Sequence, residues 1–329
     1  MAATNATAHN KRLLFKLVSI LLSALICVAV LLGIDLYLHY KHGINLHGYR
    51  GPSLGAKQPG EKRIAILGGS TTWGFGLRYG QDFPAQLETM LAQSQELSHP
   101  APIHVLNLGF NNEGAYSFKF TMNDYAYLNP DVIVLYSGYN DLNAIQNYSV
   151  YRHRSPIFVR TGFLPLLPSL TVDKLTVWKR DLSGSDRRTV FQPPVRGKPV
   201  GNNLDEQVGK LREDKVNTRA TPSASCPAEW QFYCAEISGT IDLALKQGKR
   251  VMVVTEPYIS DAHVAQQQAL RDMLAARFAD KANVRYLDLG WTVDLRDPAM
   301  CWDGMHLTAA GNERIAAALR EPLIEFLQH

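Results

Sequence analysis

A hydroxyl, an imidazole and a carboxylate suited to work together stand at Ser70, His306 and Asp303, in the stretches RIAILGGSTTWGFG (63–76) and CWDGMHLTAAG (301–311). Serine is a weak nucleophile until a base takes its proton, and histidine, with an ordinary pKa near ~6.5, suits that task at neutral pH. Asp303 precedes His306 by three residues, near enough in one loop to accept from the second ring nitrogen and fix the tautomer. The chemistry such a set serves is acyl transfer, which develops an oxyanion. The backbone N–H groups of Ser70 and Gly109 and the side-chain amide of Asn140 are the candidate donors to it. Each stretch also has a plainer reading. Gly and Ser favour turns in any protein, Asn140-Asp141 suits a turn or helix cap, and Asp303 with His306 suits a hydrogen-bonded loop or a pair of metal ligands. No third ligand follows at a suggestive spacing, and GGSTT lacks the GxxxxGK[ST] pattern of a nucleotide-binding loop. Neither a metal nor a cofactor is expected.

The catalytic reading requires distant segments to meet, and the surrounding elements say how. Arg63–Leu67, Ile103–Leu108, Val132–Tyr136, Val251–Thr255 and Val284–Leu287 read as short buried strands. Helical spacing covers Phe83–Ser94, with Pro84 at a starting position, and Ser117–Leu128, which stops before Asn129-Pro130. It returns over Glu229–Gln247, Ala262–Ala279 and Thr308–Gln328. Strands alternating with helices through right-handed crossovers predict a three-layer, doubly wound α/β fold with a parallel sheet of about five strands. Ligands bind such sheets beyond the carboxyl ends of the strands. Ser70 follows the first strand, NLGFNNEG (107–114) the second, SGYNDLN (137–143) the third and Glu256-Pro257 the fourth. Glu256 either faces this edge or serves as a structural cap. From about Asn143 to Ser225 the alternation breaks, with Pro156, Pro165, Pro168, Pro193, Pro194 and Pro199 and weak periodicity. This is an insertion after the third strand, long enough that short helices or a packed lid are expected in it.

Gly68-Gly69-Ser70-Thr71, Asn107-Leu108-Gly109, Gly138-Tyr139-Asn140-Asp141 and Asp303-Gly304-Met305-His306-Leu307, taken in order, resemble the four blocks of the SGNH (GDSL-type) hydrolase family. The resemblance runs from about Lys62 to Gln328, interrupted by the insertion. It implies an SGNH/flavodoxin-like fold and a serine esterase or acylhydrolase, with Ser70, Asp303 and His306 as triad and Ser70, Gly109 and Asn140 as oxyanion hole. The family's commonest nucleophile block has Asp before the serine, where this chain has Gly69, so a lipase specificity is not carried over. Two alternatives remain: an O-acyltransferase using the same triad, and a glycan-binding scaffold that keeps the fold without turnover.

The 329 residues, 46% of them hydrophobic, suffice for a large core in one or two domains. Leu17 to Ile34 carries only Ser19 and Ser23 as hydroxyl side chains and as a helix reaches ~27 Å, close to a hydrocarbon layer of ~30 Å. Lys11, Arg12 and Lys16 precede it, which predicts a cytoplasmic N-terminus and a body on the far side of a membrane. A secretory signal peptide is the competing reading, but the apolar run is long and Tyr37 to Lys41 offers no small-residue cleavage site. The expected organisation is a cytoplasmic stretch 1–16, a single-pass anchor 17–38, a linker 39–60 and a hydrolase-like domain 61–329. The net charge of +4 is too small to imply nucleic acid, and no basic helix with interleaved aromatics occurs. Between Gln146 and Pro222, however, fourteen Lys and Arg face seven Asp and Glu. This excess suits a solvated loop or attraction to an anionic glycan or lipid headgroups. The expected partners are therefore an ester substrate, on an acylated glycan or lipid, and the membrane itself. Cys27 lies in the anchor; in an oxidising space Cys226 and Cys234 could bridge, leaving Cys301 as the free thiol.

Overall fold

Five short runs, uniformly apolar in the central strands and interrupted by His104 and Arg285 toward the edges, form one parallel sheet. Strands β1 (Lys62–Gly68), β2 (Ile103–Asn107), β3 (Val132–Ser137), β4 (Arg250–Thr255) and β5 (Val284–Leu287) stand in the order β2-β1-β3-β4-β5. The computed structural model describes residues 2–94, 102–142, 151–171, 175 and 226–328. β3 is buried at every residue, as a central strand covered on both faces must be, whereas the edge strand β5 is half-buried throughout. The chain steps from β1 outward to β2 and then back across β1 to β3. With right-handed crossovers this reversal sends successive helices to opposite faces. Helices α3 (Phe83–Ala92) and α9 (Ala309–Gln328) accordingly pack on each other, and α4 (Ala115–Asp124) packs on α7 (Gln231–Lys246), which also meets α8 (Asp261–Phe278). This is the doubly wound, three-layer α/β architecture, and its switch point lies between the carboxyl ends of β1 and β3.

Local chemistry sets the element ends. α3 starts where Asp82 Oδ1 accepts from the N–H of Ala85 at 3.3 Å with Pro84 in the first turn. α8 starts one residue before the apolar pattern, because Ser260 accepts from the N–H of His263 at 3.2 Å. The helix read as Ser117–Leu128 begins earlier, at Ala115, and gives way to a short 3-10 turn at Ala126–Leu128.

Residues 39–60, read as a linker, pack onto the domain. Ile44 pairs with Arg50 and Arg50 with Asn107 at the end of β2, and Tyr49 and Arg50 are almost fully buried. The Arg50 guanidinium donates to the carbonyls of Trp73, Gly74 and Leu77 and stands 3.6 Å from Asp82. The apolar and aromatic side chains scattered in this polar stretch find the core, and the arginine fixes the chain just beyond the one-turn helix α2 (Ser70–Trp73). Within the insertion, α5 (Tyr151–Arg154) and α6 (Pro156–Thr161) are short helices. Residues 143–150, 172–174 and 176–225, with most of the basic excess, lie outside the described residues. Cys226 and Cys234 form a disulfide with their Cα atoms 6.5 Å apart, and Cys301 is a buried free thiol. Ahead of the domain runs α1 (Ala2–His42). Its part from Arg12 to His42, with a mean hydropathy of 2.9 over its most apolar window, is long and apolar enough to cross a membrane.

Candidate active site

β1 ends in two glycines and the chain turns at once into α2, so that Ser70 occupies its first residue at the switch point of the sheet. The loop before α9 brings His306 over this turn. Ser70 Oγ lies 2.9 Å from His306 Nε2, and His306 Nδ1 lies 2.6 Å from Asp303 Oδ2. With its proton on Nδ1 the imidazole donates to Asp303 and presents a lone pair to the serine hydroxyl. Asp303 is tied down further, because its Oδ1 accepts from the N–H groups of Met305 at 3.0 Å and His306 at 2.6 Å. Partial burial works against the charged form of Asp303, but the hydrogen bonds from His306 and Met305 outweigh it and hold the carboxyl below its ordinary pKa.

The loops after β2 and β3 close the other side. Asn140 donates through Nδ2 to the carbonyl of Glu113 at 2.7 Å, leaving its second amide hydrogen for another acceptor. A Cβ on Gly69 would run into this Asn140 amide and lie 2.8 Å from the Glu113 carbonyl. Glycine before the serine is therefore what lets the Asn140 and Glu113 loops approach the nucleophile turn. Gly109 also approaches α2, and a Cβ there would lie 2.7 Å from the side chain of Thr72. Its N–H donates to Asn107 Oδ1 at 3.1 Å, so any role toward an oxyanion requires exchanging that bond.

Three features that support these loops were only partly legible in the sequence. Glu256, after β4, is nearly fully buried; it accepts from the hydroxyl of Thr71 at 2.5 Å and from the N–H of Tyr139 at 2.9 Å. It thus joins the residue after Ser70 to the residue before Asn140. Burial pushes its carboxyl up to about 7, against those two hydrogen bonds. Glu113 carries a buried ion pair with Arg152 of α5, whose Nε and Nη2 lie 3.0 and 2.5 Å from the carboxylate. Nη2 also donates to the carbonyl of Leu108 at 3.2 Å, and the guanidinium rests over the ring of Phe110. Burial alone would raise the Glu113 carboxyl, yet the adjacent arginine holds it below its ordinary value. The insertion thereby fixes the loop that receives Asn140. The third feature is an aromatic wall: Phe75 and Trp302, whose rings lie 4.8 and 5.5 Å from that of His306 and 6.0 Å from each other, are 40% and 51% exposed. Their proximity in sequence to Ser70 and Asp303 was the one signal that could have found them.

Among the described residues no group of three or more His, Cys, Asp and Glu side chains is arranged to hold a metal ion. No curated protein matches the sequence. Solved structures with related chain paths include a family 3 carbohydrate esterase from Clostridium thermocellum, at 15% identity over 81% of this chain and 98% of that one, with a TM-score of 0.42. An acetylxylan esterase from Geobacillus stearothermophilus matches at 13% identity over 82% and 94%, with a TM-score of 0.41. A GDSL-like lipase from Bacteroides thetaiotaomicron matches at 15% over 83% and 92%, with a TM-score of 0.40. The model of the GDSL-like lipase/acylhydrolase family matches residues 66–314. That span covers well over half of the chain and runs from the end of β1 past the loop of Asp303 and His306, so this protein belongs to the GDSL-like lipase/acylhydrolase family and is an ester-bond hydrolase.

Proposed function

We propose that Ser70, His306 and Asp303 are the triad of a serine esterase that removes O-acyl groups from a carbohydrate or lipid at the cell envelope, with α1 as membrane anchor and the catalytic domain outside the cytoplasm. The observation that carries this reading is the continuous chain of hydrogen bonds from Ser70 Oγ through His306 to Asp303, at 2.9 and 2.6 Å. In the first half-reaction Ser70 Oγ attacks the ester carbonyl while its proton passes to His306 Nε2. Asp303 stays ionised and stabilises the imidazolium that forms. The N–H of Ser70, the amide of Asn140 and the N–H of Gly109, once released from Asn107, are the donors for the oxyanion. Collapse of the tetrahedral intermediate breaks the ester C–O bond, and Nε2 returns the proton to the departing alcohol. Water then attacks the acyl-serine with His306 again as base, restoring the free hydroxyl and releasing the acid. The exposed rings of Phe75 and Trp302 beside His306 suit contact with a sugar face or an acyl chain.

The test is to quench the full chain in acid during turnover of a short-chain aryl ester and to locate the acyl group by peptide mass spectrometry. The expected result is one acyl adduct, on the peptide containing Ser70, with free acid accumulating in water. An adduct elsewhere contradicts the triad, and acid formed only when a sugar acceptor is withheld would assign the enzyme to acyl transfer.

A further inference from the structure

α1 does not leave its apolar stretch on a free tether. Asp35, Leu38, His39 and His42 follow each other at the i, i+3, i+4, i+7 spacing of one helix face, and this face is taken up by the domain. His39 is bonded to the carbonyls of Ile44 and Leu164 at 3.1 and 3.0 Å, and Asp35 accepts from the N–H of Leu167 at 2.6 Å. Leu38 packs against the core. The opposite side remains bare: Tyr37 and Tyr40 are 59% and 86% exposed, tyrosines of the kind that line membrane interfaces. These contacts begin at Asp35, immediately after the eighteen-residue apolar segment from Leu17 to Ile34, whose ~27 Å nearly match the ~30 Å hydrocarbon layer. If α1 spans, the segment 163–167 therefore lies level with the lipid headgroups.

α6 adjoins that segment. It buries Phe158 inward and turns Ile157 and Val159 out, together with the exposed Arg160 and, just before it, Arg154. Leu164 N–H donates to the carbonyl of Leu46, which brings the exposed Leu46 to the same side. Isolated exposed apolar residues need no explanation. A group of them, flanked by arginines and next in the chain to the segment that α1 meets as it leaves its apolar stretch, fits an interfacial lipid surface, where apolar side chains enter the headgroup boundary and guanidinium groups meet phosphates.

We propose that α6 and residues 163–167 form a collar that rests on the bilayer crossed by α1, with Ile157 and Val159 among the headgroups and Arg154 and Arg160 on lipid phosphates. The proposal rests on the anchor reading above and is independent of the triad. It has a consequence for the active site. The ring of His42, about 10 Å along α1 from Asp35, lies 6.0 Å from the ring of Trp73 in the helix that begins with Ser70. The end of α1, steadied by the collar, thus holds the nucleophile turn at a fixed height near the headgroup layer, within reach of an ester carried at the membrane surface.

The test uses the full chain in vesicles of phosphatidylcholine and phosphatidylglycerol, with an environment-sensitive fluorophore and lipids brominated near the headgroup or deep in the chain. Native Cys27, exposed on α1, reports on the anchor. In a Cys27→Ser background, Val159→Cys reports on the collar and Lys281→Cys, before β5 at the far edge of the sheet, supplies the comparison. The background chain with no added cysteine measures what buried Cys301 contributes. The expected result is quenching at Cys27 by deep bromine, and at Val159 a loss of about half of the emission or more to shallow bromine, with little change at Lys281. Quenching at Cys27 with Val159 no different from Lys281 overturns the collar and leaves the anchor standing. No quenching at Cys27 overturns the anchor and the collar with it. Neither outcome bears on the triad, which is read by the acyl adduct on Ser70.

Discussion

Asn140 and Glu256 show two kinds of legibility at the residue scale. Asn140, like Ser70, Gly109, Asp303 and His306, stands in a short local pattern at the exit of a strand or before the last helix, so sequence alone could nominate it. The structure brings its amide to the Glu113 carbonyl beside the nucleophile turn. If its second amide hydrogen serves the oxyanion, the bond strengthens only as charge develops. Asn140→Ala should then lower kcat by ~10²–10³, or ~2.7–4 kcal/mol, with KM little changed. Steady-state kinetics on a short-chain aryl ester check this, and a folded variant with normal kcat would remove Asn140 from the role. Glu256 was ambiguous in sequence because its partners, Thr71 and Tyr139, lie 185 and 117 residues away. An unfolded carboxyl ionises near 4.5, and the folded one near about 7. Between those values the native state holds the extra proton, so this group's contribution to stability is lost as pH rises, amounting to about 3 kcal/mol above pH 7. Glu256→Gln removes that ionisation while its amide oxygen still accepts from the N–H of Tyr139 and its NH2 donates to the Thr71 hydroxyl, which turns to accept. Denaturant unfolding at about pH 5 and about pH 8 should show the variant gaining on the wild type by roughly that amount at the higher pH. Tyr136, Tyr139, Tyr233 and Asp141 also face Glu256 electrostatically; burial pushes Asp141 up to about 8, so the difference between the two proteins reads Glu256 together with its coupling to Asp141. An unchanged difference would mean that Glu256 is already ionised at the lower pH.

Most elements were legible because their apolar runs are short, uniform and bounded by Gly, Pro and Asn, which is how a parallel sheet announces itself. The five strands occupy the expected segments. What the periodicity could not show is where an element has no face of its own. Residues 39–60 lack a repeating pattern, and they are held instead by the buried Arg50 and by single apolar contacts with the core. The proline-rich insertion likewise conceals α5, whose four residues are too few for a period. Two of its side chains tie α5 down: Arg152 joins it to the Glu113 loop, and His153 meets Thr121 and Asp124 of α4. Arg152→Ala leaves the Glu113 carboxylate buried without its guanidinium, with only His153 at 3.4 Å and the Ser117 hydroxyl beside it, and should cost about 3 kcal/mol. An apolar pair replacing both Arg152 and Glu113 should recover much of that stability. Unfolding midpoints of the two variants provide the comparison. If the single variant is as stable as the pair, the insertion does not hold the loop through this ion pair.

For the molecule as a whole, the sequence already carried the two extreme features: an apolar helix preceded by Lys11, Arg12 and Lys16, and a doubly wound domain with its chemistry at one sheet edge. Their physical connection was not legible, because it depends on side chains such as Asp35 and His39 meeting backbone groups more than a hundred residues away. Nor could sequence say that Gly69, the departure from the commoner Asp, gives room for the Asn140 amide. In the proposed mechanism this assembly activates one hydroxyl, that of Ser70. A fluorophosphonate probe tests it most directly, since an activated serine displaces fluoride and is phosphonylated, whereas an ordinary surface serine is not. On the full chain rapid labelling of the wild type is expected, with none of folded Ser70→Ala and labelling slowed by about a hundredfold or more in His306→Ala. Undiminished labelling of Ser70→Ala, or no labelling of the folded wild type, would contradict it.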